Sequence, residues 1–263
     1  MSTVVTAARE AISYFLSDAD NAEIIRHIES RLGISKKYIE NSYCRYAMDS
    51  LTSSNEIYND VGIHVAMWIE YQAQNGLHEK RQFVVLNELE RWQPKTIADV
   101  GFGGPTKYLR DYVLSRSLTT ATLFEKYQAA LDVGRTVMDY WSSQYAKKVQ
   151  FELHDMDQDP PIEGFDCYLM LDSIEHTSNP TRYLAETVAA AHEDAIFLFH
   201  IPIGPLIASH SIAWANQCDA KNWLVATGLL VGHTEIILPN ISVDHFSSGA
   251  VTLENLFVVA HKR

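Results

Sequence analysis

Apolar residues recur at helical spacing through the first third of the chain and then give way to strand-length apolar runs separated by polar turns. The pattern therefore predicts helices first and alternating strands and helices afterwards. Ile24, Ile25, Ile28 and Leu32 form one stripe that Asp20 or Asn21 can cap and Gly33 ends. Ser35 opens a second helix through Tyr38, Ile39 and Met48, and a third is expected from about 55 to 74 with Gly76 at its end. Phe83, Leu86, Leu89 and Trp92 place a fourth over 79–92, stopped by Pro94. Nothing up to residue 78 alternates with strand period, so 1–78 is expected to be an all-helical extension or lid on a main domain spanning 79–263.

In the main domain, strands are predicted at 97–101, 121–125, 149–154, 166–171 and 195–200, with helices at about 105–116, 127–146 and 180–192 between them. Ser178 or Asn179 can cap the last helix, and Pro180 suits its first turn. Asp219 opens a short helix over about 220–230. Two apolar runs follow, 234–238 and 256–260, joined by the polar stretch 240–252. That stretch is too short for a helical crossover, so the two runs are expected to lie antiparallel. The fold class implied is α/β: a Rossmann-like seven-stranded sheet, mostly parallel with an antiparallel last strand, carrying an N-terminal helical extension.

Composition narrows the partners. With 47% hydrophobic residues, the 263-residue chain can bury a sizeable core. Its 21 basic and 33 acidic residues leave a net charge of -12, which repels nucleic-acid backbones and anionic membranes and favours a small-molecule substrate. Cys44, Cys167 and Cys218 show no CxxC spacing, and His154, Asp155 and Asp157 crowd one strand end, so neither a disulfide framework nor a metal site is expected. The N-terminus lacks a basic n-region and no spanning helix is indicated, so the expected location is cytoplasmic. A homodimer is the assembly expected.

Chemistry in an open α/β sheet concentrates at the carboxyl ends of the strands. The first strand runs into Asp99-Val-Gly-Phe-Gly-Gly-Pro105, where Gly101, Gly103 and Gly104 let backbone approach a ligand or, equally, a neighbouring element. The second ends at Glu125, 21 residues beyond Gly104, where a carboxylate can accept from both ribose hydroxyls or stand exposed at a strand end. The third ends at His154-Asp-Met-Asp157 and the fourth at Asp172-Ser-Ile-Glu-His176. A nicotinamide-type G-x-G-x-x-G is not matched, because the sixth position from Gly101 is Thr106.

On these residues, the segment from Thr96 to Arg263 resembles a class I S-adenosylmethionine-dependent methyltransferase. The resemblance implies S-adenosylmethionine as cofactor, with Asp99, Gly101, Gly103 and Gly104 toward its methionine part and Glu125 on the ribose. Asp155 and Met156 would meet the adenine, and Asp172 would join the same site after the fourth strand. Two departures stand out: Pro105 replaces the third glycine of the turn, and His200-Ile-Pro-Ile-Gly-Pro205 replaces the Asn-Pro-Pro-Tyr type of motif that accompanies base methylation. If the acceptor must lose a proton, His176 is the first candidate base and His200 the second, although either can as readily satisfy a loop carbonyl. Tyr46 is carried as a third catalytic candidate from an extension rich in Tyr43, Tyr58, Trp68 and Tyr71, rings that can either enclose a sulfonium or simply pack. The expected function is methyl transfer to a small molecule. Alternatives are a cyclase or lyase acting on the cofactor's aminocarboxypropyl chain, giving an azetidine-2-carboxylate-type product and methylthioadenosine, and a non-catalytic cofactor-binding protein.

Overall fold

The computed structural model of the chain describes residues 10, 12–49, 55–73, 77–104, 108–141, 148–206, 210–243 and 251–263. Seven strands form one sheet: β1 (Thr96–Val100), β2 (Thr120–Glu125), β3 (Val149–Leu153), β4 (Cys167–Leu171), β5 (Ile196–Ile203), β6 (Leu229–Val243) and β7 (Val251–Lys262), in the order β3-β2-β1-β4-β5-β7-β6. The first five are parallel; β7 inserts antiparallel between β5 and β6. β1 is central, and the chain departs from it in both directions, which puts the topological switch beside the glycine turn.

Strand periodicity divides the core. Ile97, Leu123, Leu169 and Leu198 face one side, covered by α4 (Leu77–Trp92), the π-helical turn Leu109–Val113 and α5 (Gln128–Trp141). Ala98, Val100, Tyr168, Met170, Phe197 and Phe199 face the other, covered by α6 (Pro180–Ala190) and α7 (Gln217–Ala226). β4 and β5 read as continuous apolar runs because helices cover both of their faces. In the helical extension, α1 (Ala19–Leu32), α2 (Lys36–Asp49) and α3 (Val61–Ala73) pack Ile28, Ile39, Val65 and Ile69 into a third core that seats on Val133 and Val137 of α5. The extension thus leans on the main sheet layer rather than standing apart.

The structure moves several expected boundaries. Asp18, not Asp20 or Asn21, caps α1 by accepting from the Asn21 N–H at 3.0 Å, and Gly33 ends it at φ 67°. The single helix expected over 55–74 is a 3-10 turn, Asn55–Asn59, followed by α3, because Asp60 turns its carboxylate onto the Gly62 N–H at 2.7 Å and restarts the helix. Asn216 caps α7 in place of Asp219, and Gly228 at φ 96° stops it, so Leu229 and Leu230 belong to β6 rather than to a helix. The stretch 240–252, expected as a loop, is strand at both ends, with Ile241 opposite Leu253 and Val243 opposite Val251. Gly76, Pro105, Thr106 and the end of the helix expected over 127–146 lie outside the described residues, as do the side chains of Tyr46 and Tyr71.

Candidate functional site

At the end of β1 the backbone reverses through Gly101 (φ 74°) and Gly103 (φ 61°). The N–H groups of Gly101 and Phe102 both donate to the Phe124 carbonyl, which welds the turn to β2. A Cβ on Gly101 would lie 2.4 Å from the Ser173 Cβ, so this glycine is required by close packing against the segment after β4. Gly103 and Gly104 differ. A Cβ there would meet nothing nearer than 3.9 and 4.0 Å, which leaves an open cradle walled by Trp68 of α3.

Glu125, buried at the end of β2, ties this cradle together. Its Oε2 accepts from the Gly103 N–H at 3.0 Å, and its Oε1 accepts from the Lys126 and Tyr127 N–H groups at 2.8 and 3.2 Å. A carboxylate offers about four lone-pair sites, so one remains for a ligand hydroxyl. Around it stand Tyr58, His64 and Tyr127, with ring centroids 5.4–6.2 Å apart. Burial lowers the His64 pKa, and burial together with the Glu125 charge pushes the Tyr127 hydroxyl up to about 12, so both are neutral at physiological pH. The His64 ring meets the Tyr58 carbonyl through Nε2 and the Gly103 backbone, and one buried nitrogen in this wall, Trp68 Nε1, has no hydrogen-bond partner among the described residues. A cradle with space for a ligand and an unpaired polar nitrogen beside it is what a polar cofactor would complete. Sequence reasoning missed His64 altogether, because only the fold brings α3 to the glycine turn.

Asp99 is buried on β1 and accepts from the Tyr108 hydroxyl. Burial raises its carboxyl to about 7; the Tyr108 bond opposes the rise and the Glu125 charge adds to it. The folded state therefore holds the proton more tightly than the unfolded chain. Its stabilising effect is full below the unfolded value near 4 and is lost as pH rises through 7, a change of about 4 kcal/mol. Asp99→Asn is thus expected to be more stable than the parent at pH 8 and to lose that advantage by pH 4 in denaturant titrations. A stability difference that does not change with pH contradicts this reading of the site.

Asp155 pairs with Lys126 at 3.0 Å and accepts from the Asp157 N–H, while Met156 is half-buried against the core under α6. Asp172 adopts φ 52°, unusual for a residue other than glycine, and its carboxylate is held by Arg81 of α4 and by Asn255 Nδ2 at 2.8 Å. Arg81 Nε also donates to His200 Nδ1 at 3.3 Å, which places the proton of neutral His200 on Nε2. His200 in that tautomer is a donor, which weakens its candidacy as a base. His176 is exposed and sits edge-to-face on His210 with centroids 4.8 Å apart. Glu175 between them is fully buried; burial raises its carboxyl to about 8 against the pull of its own amide and of Arg81. The structure therefore brings Asp99, Gly101, Gly103, Gly104 and Glu125 to one strand edge, with Asp155 joined to that edge through Lys126. Asp172 and His200 belong to a second cluster around Arg81, next to the post-β4 turn that carries His176.

The chain matches no protein-family model and no curated protein sequence. Solved structures do resemble it. The O-methyltransferase of the trans-AT PKS multienzyme of Brevibacillus brevis, in complex with S-adenosyl-L-homocysteine, is 10% identical over 70% of this chain and 71% of its own, with a TM-score of 0.55. The mitomycin 7-O-methyltransferase MmcR is 14% identical over 97% of this chain and 72% of its own, at 0.54. The [4+2]-cyclase SpnF is 15% identical over 70% and 80%, also at 0.54. The chain has the Rossmann-like methyltransferase fold. The MmcR match takes in the N-terminal helices as well as the sheet. In the described residues no helix is long and apolar enough to cross a membrane.

Proposed function

We propose that this chain is an S-adenosylmethionine-dependent transferase that methylates a small molecule. The observation that carries the reading is the junction of β1 and β2: an open Gly103-Gly104 cradle bonded to the buried Glu125 carboxylate, at the switch point of this fold. When bound, the cofactor supplies a methyl group on a sulfonium, already activated for transfer. The chain's own residues need only bind, orient and exclude water. Glu125 would accept from one ribose hydroxyl through its remaining acceptor site, Asp155 and Met156 would face the adenine, and Gly103 and Gly104 would let backbone reach the methionine part. Asp99 lies beneath the turn and, by its bond to Tyr108, fixes the turn rather than touching ligand. His64 and Trp68 extend the site from α3, so residues up to 78 form a wall and lid over it. Neutral His64, Tyr58 and Tyr127 present ring faces suited to a cation. A net charge of -12 supports a small-molecule acceptor over nucleic acid, and a cytoplasmic location and homodimeric assembly belong to the same reading.

A second reading is a cyclase or lyase that acts on the cofactor itself; SpnF, a [4+2]-cyclase by its printed name, has a similar fold but a different kind of ring closure. In that reading the chain consumes the cofactor's aminocarboxypropyl part, yielding an azetidine-2-carboxylate-type ring and methylthioadenosine. Mass spectrometry of the purified chain with S-adenosylmethionine separates the two. S-adenosylhomocysteine formed only with an acceptor supports methyl transfer, and methylthioadenosine formed without one supports the cyclase. Binding with neither product refutes both and leaves a cofactor-binding protein.

A further inference from the structure

No single stretch of sequence announces the cluster formed by Glu175, His176 and His210. Glu175 and His176 lie on the 3-10 turn Ile174–His176 after β4, and His210 comes from the segment after β5. One ligand atom from each lies within 4.8 Å of the other two. Points so spaced stand at most roughly 2.8 Å from a common centre, so shifts of under about 1 Å would bring all three to the ~2.0–2.2 Å of a zinc bond. The two segments are already fastened together: the Ser211 N–H donates to the Glu175 carbonyl at 2.8 Å, and Ser211 Oγ donates to the Thr177 carbonyl at 2.5 Å.

The second observation is the state of Glu175. It has no exposed surface, and neither carboxylate oxygen hydrogen-bonds to another described residue. A buried carboxyl group left without partners is available as a ligand once a cation takes the place of its proton. Arg81, whose charge acts on it, is committed to Asp172 and His200. The exposed edge of His176 gives the cluster an opening to solvent.

We propose that Glu175, His176 and His210 bind one divalent transition-metal ion of the zinc type. Two imidazoles and one carboxylate are a borderline ligand set that suits zinc, cobalt or iron(II) and disfavours magnesium and calcium, which prefer all-oxygen surroundings. Three protein ligands leave a coordination position open to an oxygen, nitrogen or sulfur donor from outside. The site is not the histidine-aspartate group at 154–157, whose members are tied to Tyr183, Lys126, Thr177 and Ser178 instead.

The test is calorimetric titration of the chelator-stripped full chain with Zn2+, with Mg2+ in parallel. One equivalent of Zn2+ should bind, at least tenfold more weakly in His176→Ala, Glu175→Gln and His210→Ala, with no heat from Mg2+. Co2+ in place of Zn2+ should give visible absorption that Glu175→Gln abolishes. His176 is exposed, so its variant keeps the fold, and circular dichroism checks the other two. Absence of stoichiometric Zn2+ binding, or binding of equal strength in the three variants, overturns the proposal. S-adenosylmethionine binding is measured separately: a chain that takes Zn2+ but no S-adenosylmethionine refutes only the transferase reading, and the converse refutes only this one.

Discussion

Glu125→Ala is expected to weaken S-adenosylmethionine binding about 100-fold by calorimetry while the chain stays folded. Two effects add. The direct one is loss of the charge-assisted hydrogen bond to the ribose, which contributes about 1.5–3 kcal/mol. The indirect one is release of the Gly103, Lys126 and Tyr127 N–H groups, which lets the turn drift from the geometry a ligand needs. Glu125→Gln keeps the shape but turns a donor toward at least one of those N–H groups, so it should fall between the parent and the alanine variant. Unchanged affinity in both would remove Glu125 from the site.

The glycine turn should divide into two kinds of position. Gly101→Ala forces a Cβ to 2.4 Å from the Cβ of the buried Ser173, at φ 74°. The expected stability loss is 3 kcal/mol or more, about what overpacking and a left-handed non-glycine residue cost together. Gly103→Ala meets open space and should cost only about 1 kcal/mol for its positive φ. Its added methyl group nevertheless enters the cradle, so cofactor affinity should fall more than stability. Thermal melts and titrations of the two variants read this crossing pattern. Equal effects on both quantities in both variants would mean that the cradle is only a packing device.

What could be read from sequence follows from how local each cause is. The buried strands β1, β4 and β5, the glycine turn, and the Asn179-Pro180 start of α6 are written in consecutive residues, and Asn179 indeed accepts from the Arg182 N–H. The length of the β6–β7 pair was obscured because the mainly polar stretch 240–252 reads as one loop until pairing of Ile241–Val243 with Val251–Leu253 makes strands of its ends. Gly228 likewise reads as an ordinary helical residue until its φ of 96° shows it ending α7. His64, Arg81 and His210 carried no signal, since each reaches its neighbours from an element distant in sequence. The Arg81 to His200 bond, for example, spans 119 residues. Asp99, prominent in the sequence, also accepts from the Tyr108 hydroxyl, a bond the sequence did not announce.

The central claim is that the β1–β2 edge holds S-adenosylmethionine, and amide hydrogen exchange with and without that ligand tests it most directly. Slowed exchange at Gly101–Gly104, Lys126 and Tyr127, together with protection in α3 around His64, is the predicted result. Binding that leaves those amides unchanged and protects another part of the chain would contradict it.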